Sequence, residues 1–200
     1  MKLSEITPEA VRDEVLEAIL GHLQGYTVPL MSMGGDPRGV GVPSIDEARQ
    51  STLGFDVRAV AHYALTGGWI MPGEVEDRGE DGGVSSPDRA RELAASFAWD
   101  ALTQVVCALY AAPLGEVPVP LDADADPETA WGVVLLACVG RQHLAQGEAI
   151  SAAQLAVLGG VSVARVHQLA QAGEIDRAKH SGIKPESARR WLSARGVAGA

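Results

Sequence analysis

Residues Leu93 to Leu114 carry apolar side chains on two helical stripes at once: Leu93, Phe97, Ala101, Val105 and Leu109 on one, Trp99, Val106 and Tyr110 on the other. A helix that is apolar on two faces must lie centrally, with partners on both sides. Ser86-Pro87 offers it a start, and it is the longest helix the sequence predicts. A membrane span is the poorer reading of this stretch. Asp100, Thr103 and Gln104 interrupt it, and a central Asp alone costs ~2.5–3.5 kcal/mol on insertion.

The partners follow from the same periodicity. Asp126-Pro127 starts a helix, TAWGVVLLACVGRQHL, whose apolar first half also needs burial. Val57, Val60, Ala61 and Leu65 repeat at helical intervals until Gly67-Gly68. Thr7-Pro8 caps and opens a helix expected to run through about Leu23 and to end at Gly25. The stretch LMSMGGDPRGVGVP reads as a loop, after which Ser44 and Glu47 have capping-box spacing and predict a short helix. Residues 72–86 combine acids and glycine with almost no large apolar groups, so a flexible acidic loop is expected. No repeat and no run of alternating strands is evident.

At 200 residues and 46% hydrophobic content the chain can bury a substantial core. Its charge of −10 argues against nucleic acid until it is divided along the chain. Residues 151–200 hold seven Lys/Arg against three acids, a net +4, and the remaining 150 hold nine against twenty-three, a net −14. A mildly basic end on an acidic body is the pattern of a protein that presents only that end to a polyanion. Cys107 and Cys138 sit in apolar helical stretches without metal or redox spacing, and read as inert core residues. The acidic N-terminal segment lacks the character of an export signal, so a cytoplasmic location is expected.

Chemistry-bearing patterns are sparse. Asp122, Asp124 and Asp126 resemble the opening of a calcium loop, but Pro127 stands where glycine is needed and Val133 where a bidentate glutamate is needed. The five histidines have no metal spacing, and no nucleophile elbow, phosphate loop or dinucleotide fingerprint occurs. No enzyme, no cofactor and no metal is expected. Trp69, Trp99 and Trp131 lie among aliphatic residues at helical spacing and read as core.

The last fifty residues are the most informative. Ser151 caps a helix with Leu155, Ala156 and Leu158 as apolar positions, and Gly159-Gly160 permits a sharp turn in which Val161 is buried. Ser162 caps a second helix from Val163 to Ala172, with Val166 and Leu169 inward and Arg165, Gln168 and Gln171 outward. This is helix-turn-helix spacing. After Gly173, Glu174-Ile175 can pair with Gly182-Ile183 as a hairpin carrying Arg177, Lys179 and His180 on its tip. Pro185 opens a last helix whose Ala188, Trp191 and Leu192 close over the others, with Arg189, Arg190 and Arg195 in water.

The run from Ala153 to Trp191 resembles the winged helix-turn-helix of excisionases and MerR-type regulators, through Gly160-Val161-Ser162, Val166 with Leu169, Gly173-Glu174-Ile175 and Ala188-Arg189-Arg190-Trp191-Leu192 in that order. It implies that Ser162, Arg165, His167, Gln168 and Gln171 lie at or near the major groove of double-stranded DNA, with Arg177 and Lys179 of the wing near the backbone or minor groove. Val163 and Ala164 depart from the polar residues common at the start of such a recognition helix.

The expectation is a mainly α protein: an all-helical body over residues 1–146, then a small winged helix-turn-helix domain over 148–196. It would act as a homodimer on an inverted repeat, in transcription or in recombination or plasmid maintenance. The alternative is a non-enzymatic interaction protein, such as an antiactivator or inhibitor, whose acidic body binds a basic partner.

Overall fold

The computed structural model describes residues 2–32, 43–70, 87–110, 127–178 and 182–198. The acidic stretch 72–86, the aspartates at 122, 124 and 126, and the hairpin tip with Lys179 and His180 lie outside the described residues. So do the side chains of 22–32, 87–92 and 107–110, Cys107 among them.

The described residues form a mainly α-helical protein of eight helices: α1 (Pro8–Ser32), α2 (Ile45–Arg49), α3 (Thr52–Thr66), α4 (Pro87–Tyr110), α5 (Ala130–Gln146), α6 (Ala152–Gly159), α7 (Val163–Gln171) and α8 (Pro185–Ala194). None of these helices is long and apolar enough to cross a membrane.

Most starts follow the local chemistry of the sequence. Thr7 Oγ1 accepts from the Ala10 amide, Ser44 and Glu47 close a capping box, and Ser51 caps α3 through the Gly54 amide. Three expectations need correction. Helix α1 continues past Gly25 to Ser32, because glycine inside an established helix costs only about 1 kcal/mol and is not by itself a stop. Helix α5 starts at Ala130 behind a Thr129 cap rather than at Asp126-Pro127. Its N-terminus gains a distant cap as well, since Glu14 of α1 accepts from the Trp131 amide at 3.2 Å.

The third concerns α4. Its inward stripe runs through Ala94, Ala98, Ala101, Leu102 and Val105, whereas Phe97 is 42% exposed. Small residues facing inward bring the neighbouring backbones close, and Phe97 instead lies beside Trp69, just beyond α3, with ring centroids 6.1 Å apart.

Helix α5 is the axis of the molecule. Every residue from Ala130 to Gln142 is buried, as is Leu144. It packs against α1, α3 and α4 on one side and against α6 and α8 on the other, and one apolar core runs from Leu3 to Leu192. Burial pushes the Cys138 thiol up to about 12, so it stays protonated and inert.

Arg141 is the one full charge buried in this axis among the described residues. Helix α3 ends at Gly67, leaving late carbonyls without intrahelical donors. The Arg141 guanidinium supplies them, donating to Ala64 O at 2.9 Å and Leu65 O at 3.2 Å, and then to Ala198 O at 2.7 Å. A cation at a helix C-terminus is also favoured by the helix dipole. Burial pulls its pKa below the usual arginine range, with Tyr63 and Cys138 opposing.

Candidate nucleic-acid interface

Helices α6 and α7 are joined by Gly160-Val161-Ser162. Gly160 adopts φ 63°, and the turn is closed by the Gly160 amide to Val157 O at 3.2 Å and the Val161 amide to Ala156 O at 3.0 Å. Both helices are capped by the serines the sequence marks. Ser151 forms a capping box with Gln154, which explains how Gln154 is buried without loss. Ser162 Oγ accepts from the Arg165 amide at 3.2 Å.

Gly159 has a different role from its neighbour. It is helical, and a Cβ there would lie 2.3 Å from Cζ3 of Trp191. The indole of α8 packs directly on the α6 backbone, and Arg195 lies 4.9 Å over the same ring while donating to Gly159 O at 3.3 Å.

Helix α7 buries Val166 and Leu169, packs the half-buried Ala170 against the core, and leaves its remaining surface open. Advancing about 100° per residue, Ala164 and Gln171 fall at the centre of the open face, with Gln168 and Arg165 on one flank and His167 on the other. Arg165 and Gln168 are brought together, Nη1 lying 3.4 Å from Oε1. His167 is exposed but belongs to the opposite flank. Ser162 is exposed at the helix start, and beside it Val163 is 42% exposed.

The hairpin has a shifted register. Glu174 still closes the end of α7 through its amide to Leu169 O at 3.0 Å, and Ile175 enters the core, so neither is available for pairing. Pairing instead joins 176–178 to 182–184, with the Ala178 amide to Gly182 O at 2.8 Å and the Lys184 amide to Asp176 O at 2.9 Å. Ile183 is bridged on both sides, by Arg177 and by Ile150, whose amide and carbonyl it meets at 3.1 and 2.8 Å. Arg177 therefore stands at the base of the hairpin, exposed, rather than on its tip.

Sequence reasoning left out Lys184 as a candidate contact and treated the arginines of α8 as one group. Lys184 is exposed where the hairpin meets α8. Arg190 is largely exposed, with Asp176 3.7 Å away. Arg189 is only partly exposed and donates to the Leu144 carbonyl of α5. The cations were visible in the charge count, but their directions depend on packing against α5 and α6.

Grooves lie beside the turn and within the helical body. One, of about 440 Å³, lies between Leu3, Leu136 and the turn residues Val161 to Val163. The other, of about 320 Å³, lies between α4 and α5. Among the described residues no group of His, Cys, Asp or Glu could hold a metal ion.

No family model and no solved structure matches the chain. It is similar to a curated protein, the glutamate–tRNA ligase of Parasynechococcus marenigrum (strain WH8102), with 34% identity over 111 residues that cover 50% of this chain and 23% of the ligase. The chain thus matches less than a quarter of that relative's length.

Proposed function

We propose that this protein is a non-enzymatic DNA-binding regulator, in which α6, α7 and the hairpin before α8 work as an excisionase- or MerR-like winged helix-turn-helix. The observation that carries the reading is the open face of α7: the helix is anchored by two residues and offers Arg165, Gln168, Gln171 and His167 to solvent. Glutamine and arginine are the side chains that read adenine and guanine edges bidentately in the major groove. Arg177 and Lys184 at the hairpin base are suited to phosphates. The acidic body would be repelled by the same duplex, which favours contact through this end alone.

Fluorescence anisotropy against labelled genomic fragments tests the proposal. Wild type is expected to bind at low salt, and Arg165→Ala/Gln168→Ala to lose the binding. With about three cations per copy, log Kobs should fall with log salt at a slope of about −2.7 for one copy and about −5.4 for a dimer on an inverted repeat. Absence of binding at any salt overturns the proposal.

A second reading is favoured by one observation. The start of α7 is apolar, and exposed Val163 adjoins the groove beside Leu3 and Leu136. Such a surface suits a protein contact, as an antiactivator or inhibitor would need. Val163→Ser, which adds no charge at the start of α7, should leave DNA binding near wild type and weaken a protein contact made there.

A further inference from the structure

The contact between Arg165 and Gln168 limits which base edges α7 can meet. Arg165 Nη1 donates to Gln168 Oε1 at 3.4 Å. A glutamine reads adenine with both ends of its amide, the oxygen accepting from N6 and the nitrogen donating to N7. Here the oxygen already faces a guanidinium, which leaves Gln168 its Nε2 hydrogens and Arg165 the Nε and Nη2 edge of its fork. The pair therefore presents N–H donors beside a positive charge. Its contact is weak in water, but a duplex laid on it removes water from both side chains, which strengthens a bond to a charged group.

The rest of the open face has a matching character. Helix α7 carries no aspartate or glutamate to accept from cytosine N4. Exposed Ala164 stands in its first turn, where a recognition helix meets base edges, and a methyl there suits the C5-methyl of thymine. Gln171, the other glutamine, is the last residue of the helix, about two turns farther on. Guanine offers two acceptors, O6 and N7, and thymine one acceptor beside its methyl. Along the axis Arg165 and Gln168 are about 4.5 Å apart, near the roughly 3.4 Å between stacked bases, so the two can meet neighbouring base pairs. We propose that α7 selects guanine and thymine edges over adenine and cytosine, with guanine on Arg165, an acceptor of the neighbouring base on Gln168 and a thymine methyl against Ala164. This selectivity rests on the DNA-binding reading of α7.

Selection of random-sequence duplexes by the full chain, followed by anisotropy at low salt, tests it. The enriched site should carry guanine beside guanine or thymine. Replacing the guanine by 7-deazaguanine, which lacks the N7 acceptor, should weaken binding at least about tenfold, as for one hydrogen bond to a charged group. Replacing thymine by uracil, which lacks only the methyl, should weaken it about fourfold. Arg165→Ala frees the Gln168 oxygen, so this variant should bind more weakly and move its preference at the Gln168 position to adenine. Arg165 is exposed, so the variant keeps the fold, which circular dichroism checks. Enrichment of adenine by wild type, or an unchanged affinity with 7-deazaguanine, overturns the selectivity and leaves the DNA-binding reading standing. Binding without any enriched sequence does the same, as does an Arg165→Ala preference that stays on guanine or thymine. Absence of any duplex binding overturns both.

Discussion

Helices α5 and α7 differ in how they use their surfaces. From Ala130 to Gln142 α5 has no exposed position, and its buried cation, Arg141, points inward to the carbonyls that end α3. Helix α7 buries two of its nine residues and points every charged and amide side chain outward. Both are amply stable positions for a helix, one by packing on all sides and the other by a cap and two anchors. What the contrast teaches is where function can reside. The closed stretch of α5 holds the molecule together, whereas a helix that needs few residues for folding has the rest free for recognition.

The sharpest way to break the comparison is to remove the inward charge. Arg141→Met strands the Ala64 and Leu65 carbonyls in the interior and releases Ala198, and is expected to lower stability by about 3 kcal/mol in urea unfolding. A loss under about 1 kcal/mol would mean that α5 is not the closed axis described above.

Next is the contact that seats α8 on α6. Gly159→Ala would drive a methyl into the Trp191 ring and should destabilise by about 2 kcal/mol. Adding Trp191→Leu should restore part of that loss, since the two substitutions act on one contact. Purely additive effects would place the strain elsewhere.

The pieces legible in the sequence were those whose chemistry is local. Thr7, Ser44, Ser151, Ser162 and Pro185 mark helix starts because a cap acts within three residues of itself. Val166 and Leu169 were legible as anchors because their helical spacing leaves one inward face. Contacts settled by distant residues were not legible. Nothing near Arg141 announces that its partners lie on α3, and nothing near Gly159 announces Trp191. The hairpin register failed for a similar reason, since Ile175 is drawn into the core and Glu174 is held by the end of α7. Of the candidate site, the exposure of the α7 side chains was legible but not their grouping. Arg165 with Gln168 on one flank and His167 on the other follows only once the buried pair fixes the rotation of the helix.

Smaller effects sharpen the comparison. Ser162→Ala removes the cap of α7 and should cost about 1 kcal/mol, read as a lowered thermal midpoint. The pH response should belong to the body. Asp13 on α1 takes a two-pronged pair from Arg49 at 3.0 and 2.9 Å, and these hydrogen bonds, with help from Arg12 and against partial burial, hold it below its ordinary 3.8. A carboxylate with a depressed folded value contributes fully above pH 3.8 and loses that contribution as pH falls through the lowered value. Asp13→Asn should therefore make the acid limb of the stability curve shallower and leave its slope near neutral pH unchanged.

The smallest expected change in stability is the most telling. Arg165 and Gln168 touch each other across 3.4 Å on an exposed face, and such a pair contributes a few tenths of a kcal/mol at most. Arg165→Ala/Gln168→Ala should thus stay within about 0.5 kcal/mol of wild type, the range of open surface positions. Urea unfolding of the two proteins side by side measures it. A loss above about 1 kcal/mol would show that this face of α7 is covered in the folded protein, and the contrast with α5 would fail. If stability is unchanged while DNA binding disappears, the two side chains are serving recognition alone, since alanine favours a helix at least as well as either residue it replaces.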